Sequence, residues 1–104
     1  MEGRLIYTTF PSREAAEEAA RALLEARLIA CANILPGMVS LYRWEGALER
    51  AEEVVMLLKT TAARALAAVE AVAKAHPYEV PAILLLPIEG GAASFLAWIG
   101  AQTA

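Results

Sequence analysis

Residues 28 to 60, LIACANILPGMVSLYRWEGALERAEEVVMLLKT, read as extended chain almost throughout, broken at Pro36-Gly37 and reversed at Glu45-Gly46. On the first arm Val39, Leu41 and Arg43 alternate with Met38, Ser40, Tyr42 and Trp44, the period of two that a strand imposes on its side chains. Pro36 has no backbone N–H to give and Gly37 bends easily, so this arm fits a bulged edge strand better than a central one. The returning arm starts polar, LERAEE, and becomes apolar on both faces at VVMLLK, which predicts that its far half lies deep in a sheet. Glu-Gly is a weaker reversal than Asn-Gly, yet nothing else between the arms can turn the chain. The result is a hairpin whose first arm, from Ile29 to Trp44, is about twice the usual strand length. Such an arm outruns short neighbours and exposes unpaired backbone unless another copy of the chain covers it.

The remaining segments are short and alternate in type. RLIYTTF, residues 4 to 10, is β-branched and aromatic and stops at Pro11, a first strand. Ser12 then caps a helix from Arg13 to about Arg27, with Ala16, Ala19, Ala20, Leu23 and Leu24 on its apolar side. TAARALAAVEAVAKA is a second amphipathic helix marked by Leu66, Val69, Val72 and Ala73, and it stops before His76-Pro77. AILLLPI, residues 82 to 88, reads as a buried strand; Gly90-Gly91 break the chain, and AASFLAWIG forms a short terminal helix. The order β-α-β-β-α-β plus a helix predicts an α+β protein. Its architecture is a ferredoxin-like sandwich with helices on one face of an antiparallel sheet, in a single domain spanning residues 1–104.

Composition narrows the function classes. At 104 residues and 59% apolar the chain is too greasy for a solitary small domain, which points to self-association. A net charge of −3 with scattered basic residues gives no footprint for nucleic acid. No apolar run approaches the roughly 18 residues that a membrane span needs, and the first residues do not read as a signal peptide, so a cytoplasmic setting is expected. A single cysteine excludes an internal disulfide. There is no aspartate for a Ser-His-Asp triad, and Gly90-Gly91 lack the surroundings of a phosphate loop, so no enzyme is expected. The scarcity of thermolabile side chains, with Asn33, Gln102 and Cys31 each unique, suggests a thermostable protein.

A few residues stand out chemically. His76, the only histidine, reads either as a helix terminator whose imidazole meets the last helix carbonyls or as a metal ligand. Cys31 reads either as a small buried hydrophobe or as a soft ligand for copper or zinc. One histidine and one cysteine fall short of a four-ligand site unless glutamates or neighbouring chains complete it. Lys59 either reaches past its apolar strand to water or pairs with Glu79 across a cleft mouth, and Trp44 at the hairpin tip looks for a partner in another copy.

The blocks CANILPGMVSLYRWEG, EEVVMLLKT and HPYEVPAILLLPI closely resemble the CutA divalent-cation tolerance family, from Leu5 through Trp98. The resemblance implies a ferredoxin-like fold, a tight homotrimer, a cytoplasmic setting, tolerance to copper and other divalent metals, and no known catalytic reaction. It carries metal-associated positions onto Cys31 and His76, and a cleft set onto Tyr42, Trp44, Lys59, Tyr78 and Glu79. The chain lacks the second and third cysteines of some members. The leading expectation is therefore a homotrimer that binds divalent metal ions, copper before zinc, with His76 the foremost ligand. The alternative is a PII-like regulatory module, by architectural analogy, binding a small anionic effector through Lys59 in clefts between subunits.

Overall fold

The computed structural model describes residues 2–104. Four strands and three helices run in the order β1 (Gly3–Phe10), α1 (Arg13–Glu25), β2 (Cys31–Trp44), β3 (Ala47–Thr61), α2 (Ala62–Ala75), β4 (Ile83–Ile88) and α3 (Ala93–Gln102). The sheet is antiparallel with strand order β2-β3-β1-β4, the split β-α-β arrangement expected. α1 begins where the Ser12 hydroxyl accepts the Ala15 N–H at 3.1 Å. It ends two residues before the expected Arg27, which adopts a left-handed φ of 57° and turns the chain.

Alternation along the central strands divides the sheet into two faces. Ile6 and Phe10 of β1, with Val54, Met56 and Leu58 of β3, are buried against Ala16, Ala19 and Leu23 of α1 and Ala68 and Val72 of α2. Alanine on the inner helix surfaces brings the helix axes close to the strands, so a small chain can close its core. The opposite face carries Tyr7 and Leu5 of β1, Val55 and Leu57 of β3, and Leu84 and Leu86 of β4, none of them buried.

Three expectations change. Leu66 and Ala73 are expected on the apolar side of the second helix, but both are exposed, Leu66 by 73%. The residues that α2 buries are Ala65, Ala68 and Val72, because the sheet selects the side on which alanine allows the closest approach. Leu24 likewise lies outside the α1 face, half-exposed beside Leu23. β4 is an edge strand rather than a buried one: it has a neighbour on one side only, and Leu84 remains 59% exposed.

The hairpin carries the remaining shape. β1 accompanies β3 only as far as the Phe10–Val54 pair, so β3 beyond Val54 has β2 alone for a neighbour and residues 41–50 are all exposed. This projection stretches the molecule to 44 × 25 × 22 Å. At its tip Glu45 and Gly46 both take positive φ, 48° and 83°, the twist that a two-residue reversal between right-twisted strands requires. Midway along β2 the register shifts by one between Leu35–Val55 and Met38–Glu53, so Pro36 and Gly37 together oppose Val54. Gly37 has φ 83°, a conformation that side-chain-bearing residues rarely adopt. A one-residue shift exchanges the faces of every residue beyond it. The bulge thus turns Met38, Ser40, Tyr42 and Trp44 to the helix-free side of the sheet, together with Glu53.

Candidate functional site: an aromatic and acidic cleft

Where the hairpin leaves the sheet, the loop after α2 folds back over the end of β1, and between them opens a cleft of about 580 Å³. Tyr7 and Thr9 of β1 and Glu53 of β3 form its base, and Ser40, Tyr42 and Trp44 of β2 stand along one wall. Pro77 to Val80 make the other.

His76 sets that second wall. Pro77 cannot continue a helix, and His76 leaves α2 in an extended conformation, φ −80° and ψ 135°. Its imidazole does not turn to the helix carbonyls. Nδ1 accepts the Tyr78 backbone N–H at 3.2 Å, which puts the ring proton on Nε2, and Nε2–H donates to the Thr9 carbonyl at 2.5 Å. That carbonyl lies one residue beyond the last β1–β4 pair, Thr8–Ile83. The ring also stacks on Phe10 with centroids 4.1 Å apart, and His76 is only 8% exposed. A buried clamp of this kind ties the loop to β1 and aims Tyr78 and Glu79 into the cleft.

Tyr78 closes the arrangement. Its hydroxyl donates to Glu53 Oε2 at 2.8 Å, and the phenol pKa is pushed up to about 12. Burial contributes most; the hydrogen bond to Glu53, the charge on that carboxylate and the nearby Tyr42 add to it. Glu53 is 8% exposed, with Oε1 left unpartnered among the described residues. The cleft is lined by two carboxylates, Glu53 and Glu79, and by no basic side chain.

The residues singled out in the sequence therefore divide. Tyr42, Trp44, Tyr78 and Glu79 converge on the cleft, with His76 directly behind it. Cys31 and Lys59 lie elsewhere. They pair with each other across β2 and β3 at the level of Leu5, whereas His76 meets β1 at Thr9, four residues or about 13 Å further along the strand. Lys59 does not pair with Glu79 and does not line the cleft: its ammonium donates to Asn33 Oδ1, one strand away. Cys31 is half-buried rather than sealed in the core. Among the described residues no three His, Cys, Asp or Glu side chains come together to hold a metal ion. Sequence reasoning missed Glu53. Its signal was a carboxylate at the point where the returning arm turns apolar, in phase with Val55 and Leu57.

Comparison with known proteins identifies the fold and the family. Residues 4–102 match the family described as CutA1 divalent ion tolerance protein. The chain is 41% identical over 101 residues to the divalent-cation tolerance protein CutA of Citrobacter koseri, covering 97% of this chain and 88% of that one. It is 42% identical over 94 residues to a CutA homolog of Xenopus laevis, covering 90% of this chain and 62% of that longer protein. The crystal structure of CutA from Xylella fastidiosa superposes over the whole of both chains with a TM-score of 0.97 at 36% identity. The matched span, the shared fold and the identities place this chain in the CutA1 divalent-ion tolerance family.

Proposed function

We propose that the protein works as a homotrimer that binds divalent cations, copper foremost, with donors drawn from more than one subunit. The observation that carries this reading is the distribution of donors. His76 and Cys31 stand about 13 Å apart along the sheet, and no three ligating side chains meet among the described residues of one chain, so a chelating site has to be completed by a neighbour. The family's association with divalent cations supplies the ligand class. His76 serves as the imidazole donor by giving up its longer hydrogen bond, from Tyr78 N–H to Nδ1. Cys31 supports it from a neighbouring subunit. The anionic-effector alternative finds no cation in the cleft, since Lys59 is engaged with Asn33 outside it.

Calorimetric titration of the assembled protein with Cu²⁺ tests the assignment. His76→Ala should lower copper affinity by roughly tenfold or more and Cys31→Ser by less, because copper(II) prefers imidazole and oxygen to thiolate. Unchanged affinity in a His76→Ala protein of normal mass and folded circular dichroism would remove His76 from the site.

A further inference from the structure

We draw no further inference here: the strongest candidate, the pocket of about 460 Å³ at the amino end of α2 between Thr61, Ala63 and Thr103, rests on a helix N-terminus alone, with no second feature of the structure pointing to a ligand.

Discussion

At Tyr78 a single hydroxyl links the cleft to the stability of the fold. Folding partly desolvates the phenol and sets it against the Glu53 carboxylate, and both effects favour its protonated form, raising its pKa from 10.0 to about 12. A group whose pKa is higher folded than unfolded stabilises the native state fully below the unfolded value and loses that contribution as pH rises through the folded one. Tyr78 should therefore stabilise the protein up to about pH 10 and cease to do so by about pH 12. Urea unfolding of the unaltered protein and of Tyr78→Phe, compared from pH 9 upward, should show their difference shrinking across that interval. In Glu53→Gln the slowest-titrating phenol, followed by ultraviolet absorbance, should move back toward the ordinary value while staying above it, since burial remains. A phenol that does not move would mean that Glu53 exerts no field there. His76 shows the other side of residue-scale reading: its identity drew attention, but its two hydrogen bonds are contacts with Thr9 and Tyr78 that spacing along the chain could not display.

Among the elements, α2 gives the most direct test of how packing overrides a periodic pattern. Val72→Ala should cost about 2 kcal/mol, because Val72 has no exposed surface and its removal leaves a void. Leu66→Gln should stay within about 0.5 kcal/mol, although both residues looked equally internal by spacing. Denaturant midpoints of the two variants check this, and a cost at Leu66 as large as at Val72 would mean that an assembly partner covers it. The order and types of the elements were legible because each carries its own punctuation: Pro11 and Ser12 before α1, Pro77 after α2, Gly90-Gly91 before α3. The long hairpin and the bend at Pro36-Gly37 were legible for the same reason. What the pattern could not reveal was the consequence of the bend. An uninterrupted strand carries Val39 and Leu41 on the face of Leu35, and only the extra residue at the bulge puts Tyr42 and Trp44 there instead, over Glu53. The cleft was thus half-visible. Its aromatic residues and Glu79 could be named, while Glu53 and the exclusion of Lys59 depend on register between strands far apart in sequence.

For the whole molecule, the decisive quantity is apolar surface that one chain cannot cover. The helix-free face of the sheet presents Leu84 and Leu86 on the edge strand beside Tyr7 and Leu5, and the projecting hairpin presents Leu41 and Leu48, each 77% exposed. Its outer backbone beyond Val54 has one neighbour where a sheet interior supplies two. Edges of that length aggregate unless they are paired in a closed arrangement, and an apolar face continuous with such an edge favours a closed ring of identical subunits. The three copies proposed from the family resemblance predict a light-scattering mass of about three times the 11.1 kDa chain at micromolar concentration. Leu84→Glu places a charge on the helix-free face at a residue that is 59% exposed in the isolated chain, so it should lower that mass while leaving the α/β circular dichroism in place. Replacing residues 40–50 with a short turn should give monomers or aggregates, since it removes the projecting arms and leaves the apolar face behind. The two variants separate the contributions of face and hairpin. A stable, soluble species at the mass of one chain, obtained from the unaltered protein, would refute the assembly and with it any metal site shared between subunits.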